Sequence, residues 1–120
     1  MNILESIKKN NATTLAVVPL TLNKILKEHE NIYSDYIGNL RLIMTNSTSI
    51  PVDTVKNYRT VLKNGKIATY YGLTEASRST FMIFDQLGRE ESVGKPPHGI
   101  EIRIKSESSN ELESGEILIK

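Results

Sequence analysis

The sequence has no cysteine and no tryptophan, and aromatic residues make up only 6% of it. Without cysteine, disulfides, thiolate metal sites and cysteine nucleophiles are excluded. The two histidines, His29 and His98, lie far apart in the chain, so a zinc site is not expected. Neither sign of charge is in surplus: 15 Lys and Arg face 14 Asp and Glu, for a formal charge of +1. That balance gives no electrostatic case for nucleic acid or an anionic membrane surface, and neither partner is expected. Long hydrophobic runs are also missing. Nothing approaches the roughly 20 apolar residues that span a bilayer, and the N-terminus lacks a signal-peptide pattern. The cytoplasm is therefore the expected compartment, where the sequons Asn11-Ala12-Thr13 and Asn46-Ser47-Thr48 carry no glycan.

What is present is ordinary for a globular chain: 120 residues, 38% hydrophobic and 24% charged. This is enough for one compact domain with a modest core. No internal repeat or low-complexity tract interrupts it. Ile3, Leu4 and Ile7 share a helical face. The run Thr13 to Val18 is short enough for a buried strand, broken by Pro19, and a helix follows with Leu22, Ile25 and Leu26 inward. Gly38-Asn39 punctuates the chain before a second strand, Leu40 to Met44. A third helix has Ser49 as candidate N-cap, Pro51 near its first turn and Asp53 at its positive dipole end. Val52, Val55, Tyr58 or Arg59, and Leu62 trace its inward face. Asn64-Gly65 suits a tight hairpin as well as a helix end, but the helical period before it favours the helix end. A third strand, Lys66 to Tyr71, comes next.

Strands alternating with helices imply right-handed crossovers and a mostly parallel sheet. The character then changes. Ile100, Ile102 and Ile104 alternate with Glu101, Arg103 and Lys105, the pattern of a half-exposed strand. Ser106 to Ser114 reads as a turn, and Gly115 introduces a final strand, Glu116 to Lys120. The expectation is an α/β fold: a partial parallel sheet with flanking helices over residues 1–87, then a small antiparallel β portion over 88–120.

In open α/β sheets, ligands sit at the carboxyl ends of the strands. Two such ends are informative: Thr45-Asn46-Ser47-Thr48-Ser49, and Tyr70-Tyr71-Gly72-Leu73-Thr74-Glu75. An aromatic ring can stack on a base, and glycine lets backbone approach a ligand. A threonine hydroxyl can meet phosphate, and a carboxylate is a hard oxygen ligand suited to Mg²⁺. On residue types alone, the second stretch reads more readily as a turn capped by Thr74 with tyrosines filling the sheet.

Order and spacing add a resemblance. Tyr71-Gly72-Leu73-Thr74-Glu75 resembles the Tyr-Gly-x-Thr-Glu motif of the adenylate-forming superfamily: acyl- and aryl-CoA synthetases, luciferases and peptide-synthetase adenylation domains. Thr14 to Pro19 is similar to that family's strand ending in Val-Pro, and Leu40-Arg41 to the strand leading into its adenine loop. Val93 to Ile104 resembles the Val-Gly-x-Pro-x-Pro-Gly-x-Glu segment, and Gly115-Glu116-Ile117 the Gly-Glu-Ile motif after it. Together these matches cover residues 13–120.

The resemblance implies an ATP-dependent ligase that activates a small carboxylic acid as an acyl-adenylate. The acyl group then passes to coenzyme A or a carrier phosphopantetheine. Tyr71 would lie against adenine, with Asn46, Ser47 and Thr48 beside it. Thr74 would contact the α-phosphate, Glu75 would hold Mg²⁺, and Gly72 would line the acyl pocket or permit close backbone approach. Thr74 and Glu75 are thus the candidate catalytic residues. The resemblance also makes residues 1–87 part of the adenylation domain and 88–120 the start of its antiparallel β-barrel subdomain.

Departures from the pattern are equally specific. The family's phosphate loop should precede residue 1, and its ribose-binding aspartate and lysine-bearing domain should follow Lys120. An internal piece, inactive by itself and completed by the remaining domains, is therefore expected. Bare strand edges on such a piece favour self-association, with a two-fold dimer as the expected form. The loop Asn46 to Ile50 lacks the family's usual glycines. Tyr70 either shortens the acyl pocket or points to the opposite sheet face. His98, Arg78, Arg89 and Asp85 read as surface residues and His29 as structural. The rival to the enzyme is a non-catalytic α/β binding or interaction module.

Overall fold

The computed structural model describes residues 2–28, 33–86, 88–105 and 115–120. The chain begins with helix α1 (Ile3–Lys9), held by a capping box. Asn2 Oδ1 accepts from Leu4 N–H at 3.2 Å, and Glu5 Oε2 accepts from Asn2 N–H at 3.3 Å. Two orphan amides at the helix start are thereby satisfied. Strand β1 (Thr14–Ala16), helix α2 (Pro19–Glu28), helix α3 (Tyr33–Ile37) and strand β2 (Leu42–Thr45) follow. Helix α4 (Val52–Val61) then leads into strands β3 (Lys66–Tyr71) and β4 (Thr80–Ile83). Strands β5 (Ile102–Lys105) and β6 (Glu116–Ile119) complete the elements.

The sheet order is β1-β2-β3-β4. Strands β1, β2 and β3 are parallel, and β4 is antiparallel to β3. Strands β5 and β6 form a separate antiparallel pair. This is the expected class: a mostly parallel sheet with flanking helices, then a small antiparallel portion.

Leu15, Ile43 and Ile67 stand side by side in register on one face of the sheet. They are buried in one cluster with Leu22 and Ile25 of α2 and with Val55 and Tyr58 of α4. The inward helical faces expected from the apolar spacing are thus the buried ones. Among the described residues Tyr58 is the largest fully buried side chain, and its hydroxyl donates to the Leu22 carbonyl at 3.1 Å. Thr54 Oγ1 is hydrogen-bonded to Asn23 Oδ1, a second polar tie between the two helices. The opposite sheet face is barer, with Thr14 and Ala16 exposed and Leu42 and Met44 half-buried.

Several details differ from the sequence reading. Pro51, not Ser49, holds the N-cap position of α4, and no side chain caps that helix end. Pro51 is extended there (φ −59°, ψ 138°), so the helix begins only after it. Helix α3 and strand β4 carried too weak a periodic signal to be expected. β4 brings antiparallel pairing into the main sheet ahead of residue 88. The alternation at Ile100 to Lys105 implied one covered face, yet Ile104 is 67% exposed. Alternation marks the face that can be buried, but burial needs a second layer. His29 and the expected turn at Ser106 to Ser114 lie outside the described residues. Among the described residues, no helix is long and apolar enough to cross a membrane.

Candidate functional site

The carboxyl ends of β2 and β3 open on the same side of the sheet because the two strands are parallel neighbours in register, Thr45 beside Thr69. After Thr45 the chain turns through Asn46 and Ser47 before α4 begins. Ser47 has a φ of 81°, a left-handed conformation that costs a serine roughly 1–3 kcal/mol. The family pattern often has glycine in this loop, which would adopt such a backbone freely.

Side chains alternate along a strand, so Ile67, Thr69 and Tyr71 share the α4 side of β3. Tyr70 takes the other face, opposite Phe81 on β4, with the Arg78 guanidinium 5.7 Å from its ring centroid. Gly72 then permits a close approach. A Cβ there would lie 2.4 Å from Arg78 N and 2.9 Å from Ala76 O, so the turn after it could not fold back against the strand. That turn is held by Leu73 N–H to Ala76 O at 3.1 Å and by the Ser79 hydroxyl to Ala76 O at 2.7 Å.

A cavity of about 390 Å³ lies between the 46–50 loop, the end of β3 and residues 90–93. Asn46, Ser47, Thr48, Tyr71 and Gly72 all line it. Thr74 and Glu75 do not. They stand exposed on the turn after Gly72. Their hydroxyl and carboxylate are hard oxygen donors next to the cavity wall. Among the described residues no cluster of three acidic or histidine groups forms a metal site. One carboxylate suffices for a magnesium ion whose other ligands are substrate phosphates and water, so the donor set fits that ion.

The far wall was not legible in the sequence. Phe84, Glu90, Glu91, Ser92 and Val93 line it. The Thr80 hydroxyl donates to Val93 O at 2.5 Å, and Phe81 and Lys95 exchange backbone hydrogen bonds of 2.9 and 3.2 Å. These bonds tie the 90–95 segment to β4, and β4 brings it to the site. Gly88-Arg89-Glu90-Glu91-Ser92 reads as a solvated charged run, so no local signal announced that Glu90 is buried. His98, Arg78, Arg89 and Asp85 are exposed, as the sequence reading had them.

The family model for AMP-binding enzymes matches residues 1–120. The chain belongs to the AMP-binding enzyme family. The resemblance carried by Tyr71 to Glu75 and the segments around it is therefore one of descent. Among curated relatives, this AMP-binding chain is 35% identical over 106 residues to a 2-succinylbenzoate–CoA ligase of Lactococcus lactis subsp. lactis (strain IL1403). That match covers 86% of this chain and 22% of the relative. Among solved structures, IdnL1 superposes with a TM-score of 0.86 at 16% identity, over 98% of this chain and 25% of that one. The N-terminal domain of FACL13 from Mycobacterium tuberculosis superposes at 0.77 with 20% identity, over 98% of this chain and 30% of that one. At such identities the superpositions speak for the fold alone. The chain spans between about a fifth and a third of the length of these relatives.

Proposed function

We propose that this chain is a segment of an ATP-dependent ligase that joins a carboxylic acid to a thiol through an acyl-adenylate. One observation carries the reading. The Tyr71-Gly72-Leu73-Thr74-Glu75 motif leaves the carboxyl end of a parallel strand beside a cavity whose opposite wall is the 46–50 loop. That is where an open α/β sheet binds ligand, and the cavity is of small-molecule size. The Lactococcus relative, a CoA ligase by name, supports the thiol acceptor.

The proposed roles are those that the family resemblance implies. Tyr71 stacks on the base, and Asn46, Ser47 and Thr48 border it across the cavity. Gly72 lets the turn close against β3, which sets Thr74 where its hydroxyl can donate to the α-phosphate. Glu75 would hold a magnesium ion, which would offset phosphate charge. The substrate carboxylate attacks the α-phosphorus, the bond to the bridging oxygen breaks, and pyrophosphate leaves. A thiolate of coenzyme A or carrier phosphopantetheine then displaces AMP from the acyl carbon. The protein's share is positioning and electrostatic stabilisation.

Residues 1–87 fit the adenylation domain of such a ligase, and residues 88–120 the start of its β-barrel subdomain. The less covered second face of the main sheet, where Thr14 and Ala16 are exposed, and the exposed Ile104, Ile117 and Leu118 suit contact with further parts of that protein, which would work in the cytoplasm. The same surfaces make the isolated segment prone to pair with itself. Sedimentation of dilute 120-residue protein is expected to show a dimer, and a single 13.5 kDa species would refute this.

The functional test is ATP–pyrophosphate exchange by the full-length protein across a panel of carboxylic acids. Exchange that needs both an acid and Mg²⁺ is expected, with none from residues 1–120 alone. A full-length protein that binds no ATP would point instead to an interaction module.

A further inference from the structure

The reaction proposed above makes no use of Asn64-Gly65, the only Asn-Gly pair in the 120 residues. The pair lies between α4 and β3, and Asn64 is exposed. Among the described residues no hydrogen bond reaches its side-chain amide or the Gly65 N–H. The chain is tied down on either side: Leu62 N–H bonds to Tyr58 O at 2.9 Å, and Lys66 N–H to Arg41 O at 3.0 Å. A free backbone nitrogen thus follows a free carboxamide. Glycine puts no Cβ beside that nitrogen to hinder its approach.

Gly65 is also closely packed. A Cβ there would lie 2.1 Å from Leu40 O and 3.2 Å from Leu62 Cδ2, and both leucines are buried. The exposed side chain of Asn64 therefore stands on main chain that abuts the core.

We propose that Asn64-Gly65 is a self-modification site, an age-dependent switch that turns the asparagine into aspartate and isoaspartate and, in the second form, loosens the start of β3. The Gly65 nitrogen gives up its proton and attacks Asn64 Cγ. A succinimide ring closes, and the side-chain nitrogen leaves with that proton as ammonia. Water then opens the ring. Breaking the bond from the Gly65 nitrogen to Cγ gives aspartate on an unaltered main chain. Breaking its bond to the Asn64 main-chain carbonyl carbon gives isoaspartate, whose main chain runs through Cβ and Cγ and is longer by an atom. One water enters and one ammonia departs, so neither cofactor nor oxidant is needed.

The two products differ in what the fold must absorb. Aspartate adds only an exposed charge. The extra main-chain atom has no room, because Gly65 abuts Leu40 O and the next residue, Lys66, is already paired with Leu42 on β2. The displacement falls on β3, which holds Thr69 beside Thr45 and ends at Tyr71 and Gly72 on the cavity.

The test ages the full-length protein in mildly alkaline buffer and follows each asparagine of this segment by peptide mass spectrometry. Asn64 is expected to lose ammonia at least about tenfold faster than Asn39, which precedes a leucine, since only glycine leaves the attacking nitrogen unshielded. Both products should appear, distinguished by an isoaspartyl methyltransferase, which acts on isoaspartate alone. In the isoaspartate fraction, hydrogen exchange over residues 66–71 should quicken by about five- to tenfold, the equivalent of one lost hydrogen bond. Asn64→Gln, which closes the ring far more slowly, should age without this change. Asn64→Asp should match fresh protein. Gly65 is left alone because any side chain there would clash. An Asn64 that stays intact while Asn39 converts overturns the site. Faster exchange in aged Asn64→Gln, or in fresh Asn64→Asp, overturns the switch, since the lengthened main chain would then not be its cause.

Discussion

On the proposed function, Glu75→Gln in the full-length protein is expected to lower the rate of adenylate formation by about 10- to 100-fold, the usual cost of disturbing a metal site. The substitution keeps the size of the side chain and one oxygen but removes the negative charge that makes a carboxylate a good magnesium ligand. Because Glu75 is exposed on the turn after Gly72, the fold has little stake in it. Exposed substitutions of this kind usually change stability by no more than about 0.5 kcal/mol. The two effects should therefore separate: a large kinetic loss with an unchanged melting temperature. The loss should also be greatest at limiting Mg²⁺. Adenylation kinetics that stay the same at low Mg²⁺ would remove Glu75 from the site.

Gly94→Ala should be the most damaging single-methyl change near the cavity. Gly94 has a φ of 90°, and a Cβ there would lie 2.1 Å from Phe81 O and 2.4 Å from Phe81 C. Backbone cannot yield that much locally. Either the 90–95 segment lifts away from β4, or β4 shifts on β3. The first route strains the Phe81–Lys95 backbone pair and the Thr80 hydroxyl bond to Val93 O. Backbone strain of roughly 1–3 kcal/mol and lost hydrogen bonds of about 1 kcal/mol each add to about 3 kcal/mol or more. Total stabilities are only about 5–15 kcal/mol. Gly88→Ala is the control: its φ of 80° carries the same kind of conformational strain, but a Cβ there meets nothing within 4 Å. Denaturant midpoints should therefore fall far more for Gly94→Ala than for Gly88→Ala, and ATP binding should weaken only in the former. Equal losses would show that conformation alone matters at both positions.

Helices and strands with a strong period were legible before any coordinates. The apolar spacing of Leu22 and Ile25, and of Val55 and Leu62, identified the inward faces of α2 and α4, because a helix packs the stripe it repeats every three to four residues; between Tyr58 and Arg59, which the spacing left open, the fold buries Tyr58. Lys66 to Tyr71 was read with the bounds the strand has. Short elements without a period escaped notice. Thr80 to Ile83 is rich in strand formers but too brief to declare its partner, and its pairing with β3 is a long-range event.

At the site, the family resemblance named Asn46, Ser47, Thr48, Tyr71, Gly72, Thr74 and Glu75; the fold gathers the first five around one cavity and leaves Thr74 and Glu75 exposed on the turn after Gly72. Order along the chain suffices there, because parallel strands always deliver their carboxyl ends to the same edge. Glu90 is the opposite case. It sits in a run of charge that locally favours water, and it is buried only because β4 draws residues 90–95 across the mouth of the site. Local chemistry therefore set the class of fold, the inward faces and the motif. Which charged residue leaves solvent depended on contacts between segments distant in sequence, and no window of sequence contains that information.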